Sequence, residues 1–151
     1  MNETIIELIE RIRHAMPELQ LIDEDYGQLE TEAQDQYPVL FPCALVSGVS
    51  VSWNNMTAMT SAVQIGTAEV TIRLAIDCYD DTHAGSGTTD RIAERARMNR
   101  RLAAALHGYR PKGAASAMQR IQSTATTTQY NWKIYDTTFR WSVKDTVGAE
   151  R

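Results

Sequence analysis

The side chains best suited to chemistry stand at Asp80-Asp81-Thr82-His83, just ahead of Gly85-Ser86-Gly87. Two carboxylates beside an imidazole can hold a divalent ion or divide acid and base roles. The spacing is not that of a calcium loop, and neither Gly-x-x-x-x-Gly-Lys nor Gly-x-Ser-x-Gly occurs. The same residues read as a solvated loop before a helix. His14, His83 and His107 are scattered too widely for a sequence-local zinc site. No catalytic, cofactor-binding or metal-ligating residue is therefore assigned, and an enzyme is not expected. A small intracellular ligand-binding or hydrolytic domain using Asp80, Asp81 and His83 stands as the lesser alternative.

The elements that would position any site follow from periodicity. Ile5, Leu8, Ile9, Ile12 and Met16 form the stripe of an amphipathic helix over 4–16, with capping-box spacing at Thr4 and Glu7 and a stop at Pro17. A short strand is expected over 19–22, then an acidic loop. Pro38 and Pro42 make 39–41 an extended segment leading into a strand over 43–53, with Gly48 as the expected bulge. Ala68, Val70, Ile72, Leu74, Ile76 and Cys78 alternate with polar residues in a second long strand. The tip between these strands carries Asn54, Met56 and Met59.

Thr88 or Thr89 is expected to cap a helix over 90–107 that stops at Gly108, with Ile92, Ala96, Asn99, Leu102, Ala103 and Leu106 facing inward. His107 reads as a cation at its C-terminus. A polar strand over 118–128 and a last strand over 132–144 complete the order, and a switch of parity at Trp132 and Ile134 suggests a bulge there. Helix, strand, hairpin, helix, hairpin is an α+β arrangement: a mostly antiparallel twisted sheet with long hairpins and two helices packed on one face. The chain reads as one domain, 1–151, with loose termini at 1–3 and 146–151.

The balance of 15 Lys+Arg against 19 Asp+Glu, a net charge of -4, argues against direct nucleic-acid readout. No apolar run reaches the ~18 residues of a membrane span, so a cytoplasmic location and no membrane partner are expected. Cys43 and Cys78 sit in alternating apolar runs and read as buried thiols, with a disulfide as the minor reading.

Charge is distributed unevenly. From 18 to 72 the chain has eight acids and no base, whereas from 89 to 120 it has eight bases and only Asp90 and Glu94 as acids. These segments either pair within the fold or meet head to tail between copies, a heterologous contact that closes into a ring when the rotation allows. On the second reading the interface comprises Asp23, Glu24, Asp25, Glu30 and Glu32 on one side and Arg97, Arg100 and Arg101 on the other.

The succession of the N-terminal helix, Gly27-Gln28-Leu29, the run from Tyr37 through Pro38, Val39, Leu40, Phe41, Pro42 and Cys43 to Val46, a long strand ending Ile76-Asp77-Cys78-Tyr79, a Ser/Gly loop, a helix and a terminal hairpin resembles the tail terminator (tail-completion, minor tail) proteins of long-tailed phages and prophages. The resemblance spans about residues 4–145. It implies a non-enzymatic structural protein without cofactor, whose partners are further copies of itself in a ring, typically a hexamer, the tail tube protein and the head-tail connector protein. The ring would cap the tube, end its growth and join tail to head. No individual binding residue carries over from the resemblance; the candidate tube or connector contacts Asn54, Met56 and Met59 follow from the reach of the long hairpin's tip. The protein would reside in the virion tail, and in the host cytoplasm during assembly. A head-completion, connector or other minor tail protein is the alternative within this class.

Overall fold

The computed structural model describes residues 2–30, 39–54, 63–78 and 87–146. Helix α1 spans Asn2–Ala15. It buries Ile5, Leu8, Ile12 and Met16, the stripe expected from spacing. Its start lies ahead of Thr4, so Thr4 falls inside the first turn and the capping box does not form. Glu7 instead accepts the backbone N–H of Lys112 at 3.1 and 3.2 Å, tying the helix to the loop before the terminal hairpin.

Six strands form the sheet: β1 (Leu21–Glu24), β2 (Cys43–Val46), β3 (Ser50–Asn54), β4 (Gln64–Asp77), β5 (Gln119–Thr127) and β6 (Trp132–Asp145). The order is β1-β2-β4-β6-β5, with β3 also pairing β4; β1 runs parallel to β2 and every other pair is antiparallel. The α+β arrangement expected from the sequence is the observed one. Strands β4 and β6, each 14 residues long, pair in unbroken register from Gln64 opposite Asp145 to Asp77 opposite Trp132.

The expected strand over 43–53 is split into β2 and β3. Val46 faces Ile72 and Ser50 faces Glu69, so one extra residue is inserted around Gly48, a bulge where the sequence suggested one. There the Ser47 N–H donates to the Thr71 carbonyl at 2.9 Å, and the Thr71 N–H donates to Ser47 Oγ at 2.9 Å. The Ser47 hydroxyl thus replaces a missing ladder acceptor. Farther along, Gly66 is required by close approach: a Cβ there would lie 2.7 Å from Trp53 Cε3 and 2.9 Å from the Ser52 carbonyl.

The bulge expected at Ile134 is absent, since β4 and β6 stay in register through it. The parity switch has another cause. Ile134 joins Leu29, Cys43, Leu45 and Ala75 in a second small core, flanked by Val39, Phe41 and Trp132, on the sheet face away from the helices. Both faces are covered at this end, so apolar residues of both parities are needed. The irregularity of the terminal hairpin lies instead on β5, between Arg120 and Gln122.

Helix α2 spans Thr88–Leu106. Gly87, at φ 85, is its N-cap and no side chain caps it, so neither Thr88 nor Thr89 plays the expected part. Leu102, Ala103 and Leu106 are buried, whereas Ile92 is 54% exposed and Ala96 is also exposed. The inward stripe therefore holds only in the C-terminal half, where α1 packs against α2. The main core joins α1 and α2 to Ala44, Val46, Val70, Ile72, Leu74, Phe139 and Trp141 on one sheet face.

Both cysteines are free thiols. Burial is the main cause that pushes the Cys43 thiol up to about 12 from 9.0; a hydrogen bond with the Ala75 backbone and the charge of Arg73 pull the other way. Its folded value exceeds the unfolded one, so its contribution is complete below about pH 9 and is lost as pH rises toward about pH 12. Stability should fall by about 1 kcal/mol between about pH 9 and about pH 10 through this group. Urea titrations across that range, compared with Cys43→Ala, measure it: the variant should show the shallower alkaline slope.

Candidate functional site

The charged residues singled out from the sequence divide into two sets. The first is neutralised within the fold. Arg73 on β4 projects from the sheet face opposite the helices, its Nε 3.2 Å from Asp136 Oδ1 and its terminal nitrogen 3.7 Å from Asp25 Oδ2 and hydrogen-bonded to Glu30. Burial opposes the Arg73 charge, but the Glu30 hydrogen bond and the charges of Asp136, Glu30 and Asp25 outweigh it and hold the guanidinium above its ordinary value. Asp25 also accepts the Gly27 N–H at 3.0 Å, fixing the turn in which Gly27 adopts φ 92.

Arg101 pairs with Glu18 at 2.7 Å, Arg97 with Glu94 at 2.7 Å within α2, and Arg140 with Glu69 at 2.6 Å across the β6–β4 pair. Pairing within the fold is thus realised for Glu18, Asp25, Glu30 and Glu69. The counter-charges come largely from β4 and β6 rather than from α2, because cross-strand registry sets Arg73 opposite Asp136 and Arg140 opposite Glu69.

The second set forms no ion pair among the described residues. Asp23 and Glu24 lie on β1, one edge of the sheet; Glu24 is exposed, and Asp23 accepts only the Glu24 N–H, at 2.8 Å. At the opposite edge, Arg100 of α2 and Arg120 of β5 line a cleft of about 290 Å³ with His107, Ala103 and Ala104. His107 Nδ1 accepts the Arg120 backbone N–H at 3.1 Å, which uses that nitrogen's lone pair. Sequence reasoning included Arg100 but missed His107 and Arg120 as its neighbours. His107 stands two turns after Arg100 at the end of the same helix, whereas Arg120 is brought to them by the loop returning from α2 to β5. Glu32, Met56 and Met59 lie outside the described residues, as do Asp80, Asp81 and His83; Asn54 ends β3 and is exposed.

A larger cleft of about 610 Å³ lies between α1 and α2, lined by Glu7, Glu10, Arg11, His14, Ala15, Ala105 and Tyr109. Of its polar groups, Arg11 ties the helices together. Arg11 donates to the Ala105 carbonyl and stacks 4.0 Å above the Tyr109 ring, and Glu10 pairs with Arg13. Burial, followed by Glu7, raises the Tyr109 phenol above its ordinary value. No group of three His, Cys, Asp or Glu able to hold a metal ion occurs among the described residues, and no described helix is long and apolar enough to cross a membrane.

What these surfaces belong to is decided by comparison with known proteins. The family model described as "Phage tail terminator protein" matches residues 5–146, from the first turn of α1 through the end of β6. The chain belongs to the phage tail terminator family. The match covers both edges of the sheet and both helices, so the acidic and basic edges are parts of a terminator fold. Among solved structures, a chain of the "Virion of native gene transfer agent (GTA) particle" is similar, at 12% identity and a TM-score of 0.56 over 93% of this chain and 92% of that one. At that identity the likeness shows the fold. No curated protein matches. The terminator family consists of structural phage tail proteins, in agreement with the resemblance read from the sequence.

Proposed function

We propose that this protein assembles into a ring, hexameric by family resemblance, that caps the tail tube, ends its growth and presents a surface to the head connector. The observation that carries this reading is the terminator-family match, which runs through every described element. Two features of the structure support it. Asp23 and Glu24, without an ion pair among the described residues, sit at one edge of the sheet and Arg100 and Arg120 at the other, the arrangement that head-to-tail association needs and a two-fold dimer does not. The hairpin of β3 and β4 carries Asn54 at its described end, and its stem exposes Trp53 and Ile65 to a neighbouring surface.

On this reading termination is capping. One face of the ring complements the last tube ring, and the other does not reproduce the surface on which a further ring would add. Asn54, with Met56 and Met59 beyond it, is assigned to the tube or connector contact. The ring works in the virion tail and is made in the host cytoplasm. Electron microscopy of tails made without this protein should show tubes of uncontrolled, greater length, and purified protein added to elongating tubes should arrest them. Tubes of normal, uniform length in its absence would overturn the proposal.

A further inference from the structure

The cleft at the β5 edge has a composition that is unusual for this molecule. Arg100 and Arg120 are the arginines whose side chains form no hydrogen bond, ion pair or ring contact among the described residues. Elsewhere Arg11 stacks on Tyr109, Arg13 meets Glu10, Arg73 meets three carboxylates, and Arg97, Arg101 and Arg140 each meet one. Arg110 donates to the Ala114 carbonyl at 2.9 Å. The fold thus supplies partners for guanidinium groups as a rule and withholds them at one place, where two face the same cleft and no acid lines it.

The third polar wall is oriented as well. Because His107 Nδ1 accepts from the Arg120 backbone, the ring is held in place and its Nε2 is left as the nitrogen available to donate. Two planar guanidinium forks and an imidazole N–H, over a floor of Ala103 and Ala104, make a donor-only socket. Its fitting occupant is an anion with several acceptor lone pairs, and a carboxylate matches the arginine fork with two parallel hydrogen bonds.

We propose that this socket receives the carboxylate of Glu24 from a second copy of the chain, with Asp23 adding negative charge from the other face of the same strand, and that this contact closes the ring. The inference rests on the ring reading above and names the residues that make it. Charge complementarity selects the occupant: Asp23 and Glu24 carry no cation among the described residues and lie on β1, whereas the socket lies beside β5, at the far edge of the same sheet. Opposite edges cannot meet within one molecule. In a head-to-tail pair they do, and each copy then uses its acids on one neighbour and its socket on the other. Arg97 and Arg101, already paired with Glu94 and Glu18, flank the contact and raise its positive field without entering it.

The test is a charge exchange, read by sedimentation velocity of the full chain and by electron microscopy of rings on its own tail tubes. Arg100→Glu with Arg120→Glu reverses the socket, and Asp23→Lys with Glu24→Lys reverses the acidic edge. Each pair of changes should weaken ring formation about 30-fold or more, as juxtaposed like charges do. An equimolar mixture of the two variants, or one chain carrying all four changes, should recover rings, because every contact again joins opposite signs.

Circular dichroism establishes that each variant is folded; if one is not, Arg120→Gln and Glu24→Gln replace the reversals, and loss of rings by both is then the expected result. Rings of unchanged affinity from either reversed variant, or no recovery in the fourfold variant, would overturn the socket. The two proposals fail differently. If wild-type protein does not arrest tube growth, the terminator reading falls; if arrest persists with the socket reversed, only the socket does. Loss that phosphate reproduces at constant ionic strength, with no recovery on charge exchange, assigns the cleft to a free anion and overturns the proposal.

Discussion

Phe139→Ala should lower the free energy of unfolding by about 4 kcal/mol, the middle of the range for emptying a buried aromatic site. Phe139 is fully buried and lies opposite Val70 on β4 and Arg120 on β5, on the sheet face that receives both helices. Its neighbours cannot collapse into the space easily, because β4 and β6 are locked in continuous register on one side and α1 and α2 are tied to each other on the other. Urea unfolding followed by tryptophan fluorescence measures the loss, and for a chain of this size the midpoint temperature should drop by roughly 10 °C. A loss below about 1 kcal/mol would mean that the helix layer is not packed on β6 as described. The effect reaches function through Arg120: its strand pairs directly with β6 at Phe139, so loosening this position should also blur the socket and slow ring assembly.

The parts of this fold that were readable in the sequence are those with one buried face. Helix α1 shows its stripe because a single side meets the sheet, and the alternation of Val70, Ile72 and Leu74 with polar residues marks a strand whose other face is less covered. The parity switch at Ile134 was misread as a bulge because a second core on the opposite face is built by Leu29, Val39 and Phe41, residues distant in the chain that no local pattern connects to β6. Helix α2 misled for a related reason. Its spacing predicts one continuous stripe, but α1 covers only its C-terminal half, so Ile92 faces solvent.

The candidate site was legible as a charge imbalance and not as a set of contacts. Counting acids and bases along the chain located the two segments, and the topology placed their remaining unpaired members on opposite edges. Registry between strands then decided which charges were already used. Arg73 and Arg140 lie outside the basic segment, yet they take up Asp25, Glu30 and Glu69, and Glu18 is taken by Arg101. What a linear reading treats as one acidic surface is therefore divided by the sheet into a structural part and an exposed part. His107 and Arg120 entered the site through a backbone hydrogen bond, for which sequence has no signature.

The structural part of that division makes Arg73 the second position of large expected effect. Arg73→Met keeps the aliphatic stem but leaves Asp25, Glu30 and Asp136 around a site without a cation. Both Arg73 and Asp25 are mostly buried, at 18% and 16% side-chain exposure, while Glu30 is 55% exposed and can turn to water. Breaking a buried pair costs about 3–5 kcal/mol, and the exposure of Glu30 reduces this, so a loss of about 3 kcal/mol is expected. Arg73→Lys should recover only part of it, since an ammonium cannot present the fork that meets Asp136 and Glu30 together.

A double-mutant cycle with Asp136→Asn should give a coupling above about 0.5 kcal/mol, as expected for groups in one network. Hydrogen exchange should also quicken at Gly27 and Glu30, the turn anchored by Asp25, before it quickens in β4. Because that turn directly follows β1, the variant should shift the carboxylates of Asp23 and Glu24 and weaken ring formation even at temperatures where the monomer stays folded. Full stability in Arg73→Met would show that the acidic segment is held by something other than this cation, and the separation between structural and exposed acids would have to be redrawn.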